Sequence, residues 1–250
     1  MKGGIEMEKK ILYFMPHQDD ELLVSGLDIA NETEENLENV YVYLCTDGSS
    51  SGVRRNLNDG NEACILHEGK HCYQLDRKEF SKARDREFYL SLNALGVKKE
   101  NIHIFPERAQ DGSLKECEAL AMMEKAINSF PEGTKISVRT IAPYRKKPQQ
   151  TDHSNLGLAA MKLFEENRIN EYKLFIENPD LEFSLKDFPE LDIHTESFNE
   201  KSKHKVTEAA KAYNVWDPEK GFYAIGYHSV LGEFKNYLTF PDMYFISKNR

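Results

Sequence analysis

Basic charge is in short supply. Thirty-three Lys and Arg stand against 42 Asp and Glu in 250 residues, a formal net charge of −9. A partner recognised through a phosphate backbone is therefore disfavoured, and no nucleic-acid contact is expected. No apolar run reaches the ~20 residues that a membrane-spanning helix needs, so no membrane span is expected either. The four cysteines, Cys45, Cys64, Cys72 and Cys117, show no disulfide-framework spacing, and Cys45 lies in a strand-like run. That usage fits a reduced, cytoplasmic setting. There is no internal repeat and no low-complexity tract. Met1 to Glu8 reads as a loose leader, not a signal peptide, because the apolar stretch behind Lys9 and Lys10 ends at a cluster of acids. Dinucleotide-cradling glycines are also missing. No Gly-x-Gly-x-x-Gly follows the first apolar run, which excludes a nucleotide cofactor there.

What is present suits an α/β chain. The 40% hydrophobic fraction can build a sizeable core. Lys10 to Met15 and Val40 to Thr46 read as buried strands. The second, VYVYLCT, has the nearly unbroken apolar character of a central parallel strand. Further strands are expected at Asn101 to Phe105, Lys135 to Ala142 and Tyr172 to Ile176. Helices are expected from about Asp20 to Thr33, then over Ser81 to Leu95 with Ser81 as cap, Leu114 to Phe130, His153 to Glu166 and Lys201 to Tyr213. Arg139 interrupts its strand and places that strand near a sheet edge. Asn178 to Thr195 reads as irregular, and Phe222 to Val230 with Met243 to Ser247 as β-rich. The fold expected is one three-layer α/β/α domain with a mostly parallel, Rossmann-like sheet of five or six strands. An insertion at about 50–80 and a C-terminal extension at about 178–250 flank the site. Oligomeric state is unreadable, and a homo-oligomer stays open.

The chemistry concentrates at the strand-to-helix turn His17-Gln18-Asp19-Asp20-Glu21. Three adjacent acids beside a His are electrostatically costly unless they share a cation or a proton. A divalent metal removes that strain. Helix capping is the competing reading, and it accounts for Asp19 or Asp20 but not for His17. Asp152-His153 opens a later helix after another strand, so it shares the sheet edge of His17 and can supply a further ligand; capping competes here too. Asp47, in the loop after the second strand, is either a partner of the site or a turn residue. Cys64, His67, His71 and Cys72 invite a second zinc site. On one helix face, however, Cys72 would point away from the other three, Gly69 breaks the pattern, and no partner pair stands elsewhere. This stretch reads instead as a loop near the site mouth, with buried Cys and partly exposed His.

In ordered succession from about Lys10 to Leu158, the chain resembles the LmbE-like, or PIG-L, family of metal-dependent N-acetyl sugar deacetylases. His17-Gln18-Asp19-Asp20-Glu21 stands for the family's His-Pro-Asp-Asp-Glu, and Thr46-Asp47-Gly48 for its Thr-Asp-Gly. Arg84 to Glu87 with Leu95-Gly96 stands for an Arg-x-x-Glu helix ending in Leu-Gly, and Gln150-Thr151-Asp152-His153 for His-x-Asp-His. The resemblance implies that His17, Asp20 and His153 bind zinc and that Asp19 is the general base. It implies that Arg84 contacts the sugar, with Asp47 beside it or behind the metal-bound histidines. Gln18 departs from the usual Pro, and Gln150 from a His that polarises the carbonyl or protonates the leaving amine. Gln can donate a hydrogen bond but transfers no proton, so His228 is a candidate substitute; a structural His there competes.

The implied function is zinc-dependent removal of the N-acetyl group from a small-molecule amino sugar of the N-acetylglucosamine type. A carbohydrate-binding or regulatory relative with weakened chemistry is the alternative. A third reading moves hydrolysis to another amide of a sugar or thiol conjugate.

Overall fold

The computed structural model describes residues 9–60, 64, 66, 67, 69–146, 151–239 and 242–250. In chain order the first elements are β1 (Lys9–Met15), α1 (Asp20–Leu23), α2 (Gly26–Glu35), β2 (Val40–Thr46), α3 (Val53–Asp59) and α4 (Arg77–Ala94). β3 (Ile102–Ala109), α5 (Glu116–Ile127), β4 (Lys135–Ile141), α6 (Thr151–Glu165), β5 (Glu171–Ile176) and α7 (Asn178–Asp187) follow. The chain ends with β6 (His194–Glu196), α8 (Glu200–Ala212), β7 (Trp216–Asp217), β8 (Phe222–Tyr223), α9 (Ile225–Thr239) and β9 (Met243–Asn249).

The main sheet has the order β3-β2-β1-β4-β5-β9-β6. Its first five strands are parallel, and β9 joins β5 antiparallel. The C-terminal strand therefore continues the same sheet. The order reverses between β1 and β4, so the crevice at their carboxyl ends is where such a sheet binds ligands.

Alternating side chains on each strand feed two cores. Ile11, Tyr13 and Met15 meet Phe88 and Leu92 of α4, Val206 of α8 and Phe234 of α9. Leu12 and Phe14 meet Met123 of α5 and Leu156 and Leu163 of α6. A third cluster packs Val53, Leu57 and Phe80 against Tyr223 and Ile225, which joins the segment before α4 to the start of α9.

Several local expectations change. α4 begins four residues before Ser81, because Asp76 accepts from Glu79 N at 2.7 Å while the Glu79 carboxylate accepts from Asp76 N at 3.0 Å. The first helix is two helices, α1 and α2. Pro179 opens α7 where irregular chain was expected. Of the β-rich tail, Met243–Asn249 is strand as expected, but of Phe222 to Val230 only Phe222–Tyr223 is; from Ile225 the chain is helical, kinked at Val230. There tertiary packing overrides propensity, since Phe234 and Tyr237 are needed on the core face.

Arg139 is the largest correction. β4 lies between β1 and β5, not at an edge. The Arg139 guanidinium is buried, donating to Asp28, to Glu32 Oε1 at 2.6 Å and to Tyr13 Oη at 3.0 Å. Lys173 also donates to Asp28. Burial opposes the Asp28 charge, but Arg139 and Lys173 hold its carboxyl below the usual range.

Asp28→Asn removes the carboxylate that Arg139 and Lys173 share and leaves them the carboxylates of Glu32 and Glu196, and it is expected to cost about 1–3 kcal/mol, read as a lower urea midpoint. A depressed carboxyl pKa stabilises above its unfolded value and loses that contribution as pH falls. The gap between wild type and variant is therefore expected to be full at neutral pH and to shrink below about pH 4.

Candidate active site

The turn after β1 is pinned from β2: Thr46 donates to Pro16 O through its backbone N at 3.1 Å and its Oγ1 at 2.6 Å. Asp19 then adopts φ 119, a conformation an L-residue rarely holds. Backbone strain of this kind costs about 1–3 kcal/mol and persists where surrounding structure enforces it. The result is that three adjacent acids diverge. Asp19 Oδ2 lies 3.2 Å from Arg84 Nη2. Asp20 Oδ2 lies 3.2 Å from His17 Nδ1 and 3.5 Å from His153 Nε2. Glu21 turns into the core, where Tyr213 Oη donates to it at 2.5 Å. No side chain caps α1, so the capping explanation of the acids does not hold there.

His17 is held from both sides. Its Nε2 lies 3.2 Å from Asp152 Oδ2 and 3.2 Å from Asp111 Oδ1. Asp152 in turn accepts from Gly112 N at 2.7 Å and Leu114 N at 2.9 Å, tying the loop after β3 to α6. With a proton on Nε2 facing carboxylates, Nδ1 is left as a lone-pair donor. His153 Nε2 lies 3.0 Å from that nitrogen. Behind it, His153 Nδ1 lies 3.2 Å from Glu177 Oε2 and 2.8 Å from Arg145 Nη1.

Three donor atoms, His17 Nδ1, Asp20 Oδ2 and His153 Nε2, thus form a triangle with edges of 3.0, 3.2 and 3.5 Å. Tetrahedral ligands at about 2.0–2.1 Å from zinc stand roughly 3.3 Å apart, so the residues fit such an ion and leave its fourth position open. The electrostatics agree. Burial works against a charged His17, yet hydrogen bonds to Asp111, Asp152 and Asp20 carry it well above the usual imidazole range. Positive charge is favoured at this spot. Burial pushes His153 down to about 3, so it is a neutral ligand. Burial also pushes Asp19 up to about 8, against the pull of Arg84.

These groups open onto a cleft of about 440 Å³. His17, Asp19, Asp20, Arg84 and His153 line it, together with Ser51, Glu177, Ser229 and Glu233. Asp111 and Glu177 had no assigned role in the sequence reading. Both follow the carboxyl ends of strands, as His17 does, and that position was the available signal.

Other candidates sit elsewhere. Asp47 is not among the cleft residues; its Oδ1 accepts from Ser49 N and Asp111 N, both at 3.0 Å, and so acts on His17 only through Asp111. Arg84 lines the cleft, but its guanidinium also donates to Gln18 O and to Gly48 O at 3.0 Å. Glu87 does not pair with it; its carboxylate accepts from Ile225 N and Gly226 N, the first turn of α9. Gln18 is fully buried and reaches Asp85 Oδ1 at 2.7 Å. His228 is a correction. It stands 3.1 Å from Cys64 Sγ and is not among the cleft residues, so the structure groups it with Cys64 and not with His153. Gln150, like Lys147, lies outside the described residues.

The profile of the PIG-L family, described as GlcNAc-PI de-N-acetylase, matches residues 12–164. The chain belongs to this family. No curated protein sequence matches it. Among solved structures, the PIG-L chain resembles the A40926 pseudoaglycone deacetylase Dbv21, with TM-score 0.61, 18% identity, and coverage of 96% of this chain and 97% of that one. A triple mutant of a deacetylase of teicoplanin biosynthesis aligns with TM-score 0.64 and 16% identity over 96% and 98% of the two chains. N,N'-diacetylchitobiose deacetylase from Pyrococcus horikoshii aligns with TM-score 0.55 and 17% identity over 86% of this chain and 73% of that one. At these identities the likeness is one of fold. The PIG-L match includes every residue from His17 to His153 discussed above, whereas Glu177 and α9 lie beyond it.

Gly48 allows Arg84 to approach Asp19. It has φ +60, and a Cβ there would meet Gln18 Oε1 at 2.1 Å and Arg84 Nη1 at 2.7 Å. Gly48→Ala is expected to cost more than about 1 kcal/mol, checked by urea denaturation.

Proposed function

We propose that this PIG-L chain is a metal-dependent amide hydrolase that removes the acetyl group from an N-acetylglucosamine-type sugar or glycoconjugate. One observation carries the reading. His17, Asp20 and His153 converge as a three-donor set with an open side at the cleft, and Asp19 stands next to them. Two imidazoles and one carboxylate with an open position are the pattern of a catalytic zinc site rather than a closed structural one. A zinc ion bound there would supply Lewis-acid polarisation of the acetamide carbonyl and lower the pKa of a water towards 7.

The chain's own residues do the rest. Asp19 accepts a proton from the attacking water and returns it to the departing nitrogen, so that the C–N bond breaks to give acetate and a free amine. A carboxyl pKa near neutrality suits a group that takes and then gives a proton. Arg84 fixes the orientation of Asp19. Gln150, in the second motif, donates a hydrogen bond to the carbonyl oxygen, and both proton transfers fall to Asp19. Asp111 and Asp152 keep the proton of His17 on Nε2.

The decisive experiment combines elemental analysis with acetate release from N-acetylglucosamine derivatives. His153→Ala is expected to bind one metal equivalent fewer than wild type and to release no acetate. Wild type that holds the metal at His153 but deacetylates no derivative would favour a carbohydrate-binding relative. Asp19→Asn is expected to lower turnover by about 10²–10⁴-fold with metal content unchanged; loss of metal in that variant would overturn the base assignment. Asp111→Ala is expected to weaken metal affinity about 10–100-fold, measured by chelator competition.

A further inference from the structure

A second set of donors lies apart from the cleft residues. Cys64, His67 and His71, from the segment between α3 and α4, meet His228 of α9. Their ligand atoms all lie within 4.8 Å of one another. Cys64 Sγ is 3.1 Å from His228 Nε2 and 3.5 Å from His67 Nδ1. A sulfur at about 2.3 Å and a nitrogen at about 2.0–2.1 Å on one tetrahedral zinc stand roughly 3.5 Å apart, which the His67 pair matches and the His228 pair reaches by opening a few tenths of an ångström.

Three further observations point to an ion. His71 is only 9% exposed, and its Nε2 is buried with no hydrogen-bond partner among the described residues. Leaving such a nitrogen unsatisfied is costly, and a metal bond removes that cost. The His228 ring is set for ligation, with Nδ1 against Ala224 O at 2.8 Å and Nε2 towards the sulfur. A backbone carbonyl on one ring nitrogen is the usual way of fixing the tautomer of a metal-bound His. The sulfur accepts from Leu66 N at 3.3 Å, which fixes its position beside the two rings. Trp216 covers the group, its ring 4.0 Å from that of His67 and 4.5 Å from that of His71.

We propose that Cys64, His67, His71 and His228 form a second, structural site for a divalent ion of the zinc class. Four protein donors fill a tetrahedron and leave no open position for catalysis. One thiolate and three imidazoles select zinc and its transition-metal neighbours over magnesium or calcium. The sequence pattern pointed at Cys72 as the fourth donor. Cys72 is exposed and free, and the fourth donor comes from 164 residues beyond Cys64 instead. The ion would staple the segment after α3 to the start of α9. The next residues of that helix, Ser229, Val230 and Glu233, form one wall of the cleft, so the staple holds that wall in place.

This site is independent of the deacetylase reading and is tested without substrate. Only Cys64 offers a thiolate to either site, so cobalt reports on this one alone. Cobalt-loaded wild type and His153→Ala are expected to show a thiolate-to-cobalt charge-transfer band, and Cys64→Ser to lose it while keeping the metal at His153. Wild type is expected to hold about two metal equivalents and each of these variants about one. A second arm needs no variant: in the wild-type chain, zinc should protect Cys64 from alkylation, read by peptide mass spectrometry. Exposed Cys72 and Cys117 serve as internal controls that react with or without zinc. A chain that binds one equivalent, lost in His153→Ala, with no thiolate band and no protection of Cys64, would overturn the proposal.

Discussion

The active-site geometry depends on one ring nitrogen. His17 Nε2 faces Asp111 and Asp152, carboxylates that reach it from the loop after β3 and from the start of α6. That contact draws three strand ends together at the point where the sheet order reverses. It also decides the tautomer, and so leaves Nδ1 to converge with Asp20 and His153. Much of the surrounding polar structure supports it: Asp47 holds the backbone of Asp111, and Gly112 and Leu114 hold Asp152. The strained backbone at Asp19 belongs to the same design. It turns Asp19 towards Arg84 and Asp20 towards the histidines, which separates the proposed base from the proposed ligand in adjacent residues.

Two other buried charge arrangements hold the frame for that contact. Asp28 lies against Arg139 and Lys173 from neighbouring strands and keeps α2 on the sheet. Glu87 caps the first turn of α9 from α4. The family match ends at residue 164, yet α9 and Glu177 complete the cleft.

The sheet was legible because its strands announce themselves locally. VYVYLCT is apolar on both faces, and β2 spans Val40–Thr46 as read. The same logic failed at Arg139, because a buried charge and an edge charge look alike until the partner is known, and Asp28 stands 111 residues away. It failed at the tail for a related reason. Tyr227 and Val230 have strand-like propensity, but the chain is helical from Ile225 and both pack against the existing core. At the site, His17 and Asp20 were legible from an unusual local density of charge, and His153 from its place at a strand-to-helix turn. Asp111 and Glu177 were not, since a single acid after a strand has no local signature.

By itself, then, the sequence determined the parallel strands, the turns at 17–20 and 152–153 that carry the candidate ligands, and the family. These features rest on period, propensity and short motifs, which act between near neighbours. Only the tertiary structure decided which carboxylate serves which histidine, that Arg139 is central, and that His228 belongs with Cys64, His67 and His71 rather than with the cleft. Those are contacts across 24 to 164 residues of chain. Their energies depend on distance and burial in space, and nothing in the local order of residues encodes either.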